Sequence, residues 1–313
     1  MLLTITANPS LDRILHLPHL AIGQVHRATS LKLVAAGKGL NVVRAAVTLG
    51  APALATGMLA GRHGQIVTEL FQADGFAADW YWLPAGETRV CTMLNQDSGD
   101  TTVINEPGPD ISAAEWAGFA AHVQALAQSA RAVVFCGSMP PGVPPDAPGQ
   151  LARVLAGNGL PVYFDVGYQH LPSLLDNPQG VCVKVNRAEL AAGLGHSLDS
   201  VGALEPVIEA GQRLLARGAT QVVVTLGAAG ALAVSPEGVW QAIPPAVAVV
   251  STVGSGDSLT AGLMAAQLRG LPLAQALAHG VAAGAANALN SVPGRLELAE
   301  FEQLLARVRV NQY

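Results

Sequence analysis

Short apolar runs along this chain alternate with longer stretches in which apolar residues return every three or four positions. The runs at 2–6, 53–57, 132–136, 162–165, 180–185 and 221–226 predict strands, several of them apolar on both faces. That is the pattern of a parallel sheet covered by helices on both sides. Helical spacing runs through 41–49, 112–130, 206–217, 258–269, 273–290 and 298–308. In the second of these, Ser112 and Glu115 spell a capping box, and Trp116, Phe119, Val123 and Leu126 share one face. Strand–helix alternation on this scale implies a layered α/β fold with right-handed crossovers.

Two segments interrupt the alternation. Residues 12–35 hold Ile14-Leu15-His16-Leu17 and Ser30-Leu31-Lys32-Leu33-Val34, which read as short strands. Residues 87–105 hold two further apolar runs joined by Gln96-Asp97-Ser98-Gly99-Asp100, a hairpin pattern. Together they predict a small β lid inserted into the main sheet, with a ligand between lid and core at the carboxyl ends of the strands. The whole chain, 1–313, then forms a single domain with its lid.

Composition narrows the partners. Hydrophobic residues make up 50% of the chain and charged ones 12%, so a large core is available and a disordered protein is excluded. The net charge of -5 argues against nucleic acid, and any basic site must be a small local cluster. Cys91, Cys136 and Cys182 lie far apart, and the histidines lack zinc-type spacing. These read as reduced, buried thiols of a cytoplasmic protein. The N-terminal segment has no basic region before its short apolar run, and no apolar stretch reaches the roughly 18 residues that a membrane span needs.

The segment most suggestive of chemistry is Ser251-Thr252-Val253-Gly254-Ser255-Gly256-Asp257-Ser258. It follows the β-branched run Val247-Ala248-Val249-Val250 and precedes an apolar helical stretch, so it reads as strand, glycine loop, helix. Such a loop aims backbone N–H groups at a phosphate or a developing oxyanion. Asp257 at its mouth is either a base that takes a proton from a hydroxyl or a helix cap. A second glycine cluster, Ala36-Gly37-Lys38-Gly39-Leu40-Asn41, either presents Lys38 to an anionic group or is an ordinary turn. In Lys184-Val185-Asn186-Arg187-Ala188-Glu189, Asn186 and Glu189 either form a capping box or order waters around a divalent cation. The stretch Thr225-Leu226-Gly227-Ala228-Ala229-Gly230 is either a hairpin or a backbone wall against a nucleotide. Arg89 and Arg27 flank lid strands and either form a bidentate phosphate grip or are ordinary surface arginines. Ser138, at a rigid turn, either bonds a sugar or ends a strand.

In this order and spacing the clusters resemble the phosphofructokinase B family of the ribokinase superfamily. The matching pieces are Asn8-Pro9-Ser10-Leu11-Asp12, 36–41, Thr88-Arg89-Val90, Gly137-Ser138-Met139-Pro140-Pro141-Gly142, 186–189 and 251–258. The pairing of Lys38 with Arg89 is similar to the branch acting on phosphorylated ketohexoses, the 1-phosphofructokinases and tagatose-6-phosphate kinases. The resemblance implies a ribokinase-like three-layer α/β/α sandwich with a β-sheet lid. It implies Asp257 as catalytic base and Gly254, Ser255 and Gly256 as the anion hole. Asp12, Asn41, Gly37 and Gly39 would bind the sugar, with Ser138 beside them, and Lys38, Arg89 and Arg27 would hold its phosphate. Lys184, Asn186 and Glu189 would organise ATP and Mg2+, Glu189 through water, while Thr225, Gly227, Gly230 and Asn287 would line the nucleotide pocket.

Three positions depart from the family pattern: Ala36 before Gly37, Val185 after Lys184, and Val166-Gly167-Tyr168 after Asp165. The activity implied is transfer of the ATP γ-phosphate to fructose 1-phosphate, giving fructose 1,6-bisphosphate. Tagatose 6-phosphate or fructose 6-phosphate are alternative acceptors, and a non-catalytic sugar-phosphate sensor is a reading from another class. A neutral-sugar or nucleoside kinase is disfavoured by Lys38 and Arg89 together. Exposed apolar faces on lid strands imply a homodimer through the lid.

Overall fold

The computed structural model describes residues 1–166, 170–195 and 203–313. The departure at Val166-Gly167-Tyr168 runs beyond the first of these segments, so Gly167 and Tyr168 lie outside the described residues.

The chain opens with β1 (Leu2–Thr6), every residue of it buried. It then leaves the main sheet for β2 (Ser10–Leu17) and β3 (Ser30–Ala36). It returns through α1 (Lys38–Thr48), β4 (Ala53–Leu59), α2 (Gly61–Ala73) and the two-residue β5 (Tyr81–Trp82). A second excursion makes the hairpin β6 (Arg89–Gln96) and β7 (Thr101–Asn105). Next come α3 (Ala113–Ala127), β8 (Ala132–Gly137), α4 (Ala147–Gly157), β9 (Val162–Val166) and α5 (Leu171–Asp176). They are followed by β10 (Cys182–Asn186), α6 (Arg187–Leu194), α7 (Glu205–Ala216) and β11 (Gln221–Thr225). After one 3-10 turn at Gly227–Ala229 the chain ends with β12 (Ala231–Ser235), β13 (Gly238–Ile243), α8 (Ser255–Leu268), α9 (Leu273–Asn287), α10 (Leu298–Leu305) and β14 (Arg309–Gln312).

The main sheet has the order β14-β13-β12-β11-β10-β9-β8-β1-β4-β5. From β11 to β5 every pairing is parallel, while β12, β13 and β14 run antiparallel at one edge. Two hydrophobic clusters cover its faces. Leu40, Val43, Phe71, Leu259, Met264 and Leu277 belong to one, and Phe119, Val123, Leu155, Leu174, Leu190 and Leu214 to the other. The period of two in β1 divides it between them, with Leu2 in the first cluster and Leu3 and Ile5 in the second. The result is the three-layer α/β/α arrangement that the alternation implied. A separate sheet, β3-β2-β6-β7, stands apart, with β2 and β6 parallel and hairpin-type pairings on either side.

The strand expected at 247–250 is absent. That segment joins no sheet: Val249 and Val250 are exposed, and the Val250 amide donates to the Ala288 carbonyl at 2.8 Å. β-branched residues favour strands only where a neighbour offers ladder hydrogen bonds and an apolar face. The main sheet takes β14 as its edge beside β13 instead. The Thr225–Gly230 turn does make a hairpin, β11 to β12.

α8 carries the site, and it is a core helix: every residue from Asp257 to Ala266 is buried. Small residues let α9 lie close against it. A Cβ on Gly262 would stand 2.6 Å from the His279 carbonyl oxygen, and one on Gly280 2.7 Å from that of Leu259. The start of α8 is therefore anchored by packing rather than by surface contacts.

Candidate active site

β1 and β8 are neighbours whose onward chains pass to opposite faces, through α1 and α4 respectively. A crevice opens outside the carboxyl ends of such strands. Here the small sheet roofs it. The cleft of about 450 Å3 is walled by Asp12 and Arg89 from the small sheet, and by Gly37, Lys38 and Asn41 at the start of α1. Lys184 and Asn186 at the end of β10, Glu189 in the first turn of α6, and Gly254, Gly256 and Asp257 at the start of α8 also line it, as does Arg44 from α1.

Gly254 is the N-cap of α8, at φ 81°, with no side-chain cap bond. Asp257 therefore stands in the first helical turn without capping it. The amides of Gly256 and Asp257 have no hydrogen-bond partner among the described residues. Two free donors at a helix N-terminus form an anion cradle. Asp257 is 6% exposed, and its Oδ2 accepts a hydrogen bond from Asn41 Nδ2 at 2.8 Å. Burial is the largest influence on its carboxyl group and raises its pKa. Lys38, Lys184 and Asn41 pull it back only in part, and Asp165 adds to the rise.

Lys38 is the first residue of α1, where the helix dipole disfavours a cation. Asp165 at the end of β9 offsets this: its Oδ1 accepts from Lys38 Nζ at 2.9 Å, and its Oδ2 from Lys184 Nζ at 2.6 Å. Burial pushes the Asp165 carboxyl up, but Lys184 and then Lys38 outweigh it and hold it down at about 2. The ion pair with Asp165 likewise raises Lys38 despite its own burial. A buried carboxylate thus joins a lysine from α1 to one from β10. Lys184 lies under the glycine loop, its Nζ 3.2 Å from where a Cβ on Gly256 would be.

The remaining expected residues divide. Asp12 faces the cleft; burial raises its carboxyl against a 2.7 Å hydrogen bond from Ser10. Arg89 is held from behind, its Nε donating to the Asn8 carbonyl at 3.1 Å. Asn186 and Glu189 do form a capping box at the start of α6. Glu189 also faces the cleft, with one oxygen taken by the Asn186 amide at 2.8 Å. Among the described residues no group of three or more His, Cys, Asp or Glu side chains is placed to cage a metal. Thr225 and Gly227 line a second pocket of about 480 Å3 with Gln241 and Tyr313, and this pocket shares Asn186 and Thr225 with the first.

Six expected residues stand off these walls, Ser255 among them. Arg27 is exposed on the loop between β2 and β3. Ser138 is half-buried off the cleft lining, its Oγ accepting from Asn8 Nδ2 at 3.5 Å. Gly39 is buried, and a Cβ there would collide with the Thr6 hydroxyl, so it serves the approach of α1 to β1. Gly230 lets the β11–β12 turn pass the Ala242 carbonyl. Asn287 is fully buried: its Nδ2 donates to the Val253 carbonyl at 2.9 Å and to Ser255 Oγ at 3.2 Å, while its Oδ1 accepts from the Gly294 amide at 2.8 Å. It ties the glycine loop to the turn at 291–295, so Ser255 and Asn287 act from behind the cradle.

Two residues that the sequence reading passed over belong here. Asp165 is the single charged residue in a strand with both faces covered, and a buried charge demands partners. Arg44 sits on the buried face of α1 among Val42, Val43, Ala45 and Ala46. A model of the pfkB family carbohydrate kinases matches residues 8–295. The chain belongs to this family. It is an ATP-dependent sugar kinase, as the order of its motifs implied.

Solved structures agree. Phosphofructokinase-2 from Escherichia coli in complex with potassium is 28% identical, with a TM-score of 0.90 over 98% of both chains. The same enzyme in complex with fructose-6-phosphate gives 26% identity and a TM-score of 0.86 over 98% of each. A Thermotoga maritima protein named as a possible 1-phosphofructokinase has the same fold, with a TM-score of 0.87 at 23% identity over 100% of this chain and 99% of its own. No described helix is long and apolar enough to cross a membrane.

Proposed function

We propose that this kinase transfers the γ-phosphate of ATP to a hydroxyl of a phosphorylated ketohexose, with fructose 1-phosphate as acceptor and fructose 1,6-bisphosphate as product. One observation carries the reading. A buried carboxylate, Asp257, and two cations, Lys38 and Arg89, face one cleft from different walls.

In this reading Asp257 takes the proton of the attacking hydroxyl as the oxygen–phosphorus bond forms. Its burial suits it to that task, because a carboxylate with a raised pKa is a better proton acceptor. The free amides of Gly256 and Asp257 stabilise charge on the transferring phosphoryl group. Lys38 and Arg89 hold the phosphate already on the sugar, and Asp12 and Asn41 orient its hydroxyls. Lys184 meets the nucleotide phosphates, and the second pocket, beyond Thr225 and Gly227, takes the base. Closure of the small sheet over both substrates excludes water and limits ATP hydrolysis.

A hydrated Mg2+ fits the residues present. Glu189 is a lone carboxylate with one oxygen uncommitted, suited to an ordered water rather than to a direct cage. When bound, the ion neutralises phosphate charge.

Fructose 6-phosphate is the second reading, favoured by its presence in the related Escherichia coli enzyme. An ATP-consumption assay across fructose 1-phosphate, fructose 6-phosphate, tagatose 6-phosphate and free hexoses tests the proposal. The highest kcat/KM is expected with fructose 1-phosphate. Preference for a free hexose would overturn the role given to Lys38 and Arg89. We also propose that two copies pair through the small sheet, supported by exposed Leu31, Leu33, Val103 and Ile104 on its strands. The three free, buried thiols support a reducing, cytoplasmic setting.

A further inference from the structure

The geometry points to Arg44 as a positioning residue for phosphoryl transfer: through Asn41 it fixes the carboxylate of Asp257 in its working orientation. This rests on the reading of Asp257 as the base.

Arg44 is 3% exposed in the middle of α1. Its Nη1 donates to Asn41 Oδ1 at 3.2 Å, one turn earlier on the same helix. Asn41 Nδ2 in turn donates to Asp257 Oδ2 at 2.8 Å. The chemistry of the chain allows one arrangement only. A guanidinium has donors and no acceptor, and a carboxylate has acceptors and no donor. An amide between them must turn its oxygen to the first and its nitrogen to the second. Without Arg44 the Asn41 oxygen loses its donor, and the amide is held by Asp257 alone instead of being fixed from both ends.

Arg44 itself cannot drift. Its Nη2 donates to the Ala35 carbonyl at 2.6 Å, and its guanidinium lies 5.5 Å from the Phe71 ring centre and 6.0 Å from that of Phe76. A longer contact, 3.7 Å, reaches half-exposed Asp74. Gly294 presses on the other side of the pair: a Cβ there would stand 2.6 Å from Asn41 Cα. Burying a cation is costly, and an apolar residue would fill the same space without that cost. The link to Asn41 gives the cation a purpose. The second oxygen of Asp257, Oδ1, has no hydrogen-bond partner among the described residues, so the amide bond leaves one oxygen open to the cleft.

The test compares Arg44→Met, Arg44→Lys, Asp74→Asn and Asp257→Asn in kcat, in the pH profile of kcat and in thermal stability. Asp257 is faced by Lys38 and Asn41 from α1, Asp165 from β9 and Lys184 from β10; the three charged groups are untouched in the Arg44 and Asp74 variants, and Asn41 loses a partner only in the Arg44 variants. Arg44→Met is expected to lower kcat about ten- to a hundredfold, the scale of a misplaced reacting group. It is also expected to move the acid limb to higher pH, because the ionised base has lost a donor. Arg44→Lys, with one donor head in place of a fork, should show the same changes in smaller measure, and decides alone if Arg44→Met does not fold. Asp74→Asn removes the structural ion pair and should lower thermal stability while leaving kcat and its profile unchanged. A wild-type profile in a folded Arg44 variant, or the same displacement in Asp74→Asn, overturns the proposal. Asp257→Asn separates the two readings: if it inactivates while Arg44 variants behave as wild type, the base stands and Arg44 is not its positioner. If it stays active, the base assignment itself falls.

Discussion

Asp165 and Lys184 form the shortest ion pair of the site, 2.6 Å between two side chains that are almost wholly buried. The second oxygen of the same carboxylate reaches Lys38. Removing the carboxylate leaves Lys184 as an uncompensated buried cation. Asp165→Asn should therefore cost on the order of 3–5 kcal/mol of stability and lower turnover. Denaturant unfolding checks the first and a steady-state assay the second. The pH dependence has a definite sign. The Asp165 pKa is lowered from its usual 3.8 to about 2, so its contribution is complete above the unfolded value and is lost as pH falls through about 2. The acid limb of stability in that window should be smaller in the variant than in the wild type.

Lys38 and Arg89 face the cleft from opposite elements, α1 and β6. Lys38→Ala and Arg89→Ala should each raise the KM for the sugar phosphate, each loss being worth roughly 1.5–3 kcal/mol for a charge-assisted bond. The KM for ATP should change far less. Unchanged sugar KM values in both variants would remove the phosphate grip from the mechanism.

Gly254 caps α8 at φ 81°, where a side chain is strained, and a Cβ would lie 2.8 Å from Pro293 Cβ and 2.9 Å from the Gly294 amide. Gly254→Ala should destabilise by at least about 1–2 kcal/mol and lower kcat by shifting the free amides of Gly256 and Asp257. Melting temperature and kcat measured on one preparation test both parts.

Most of the architecture was legible because it rests on local pattern. Apolar runs such as 132–136 are buried on both faces and read as strands without knowledge of their neighbours. The Ser112–Glu115 capping box needs only four residues and is present as read. The run at 247–250 misled because strand formation needs a partner edge, which sequence does not reveal. The glycine cradle and Lys38 carried their signal in spacing. Asp165 and Arg44 carried none beyond a lone charge in an apolar stretch, because their meaning lies in contacts 127 residues apart for Lys38 with Asp165 and 216 apart for Asn41 with Asp257. Asn287 was legible as part of the site but not as a strut behind it, since which way a buried amide faces is decided by packing.

Burial raises the pKa of Asp257 and the neighbouring lysines offset this only in part. A base must be ionised to accept a proton, so kcat should fall on the acid side with an apparent pKa above the ordinary carboxylate range. A kcat profile flat down to pH 4 would contradict this environment.

The most direct measurement is kcat of Asp257→Asn with ATP and a saturating sugar phosphate, alongside binding of both substrates. A loss on the order of a hundredfold or more in kcat, with both substrates still bound, is the predicted result. Turnover equal to wild type would contradict the assignment of Asp257 as the base.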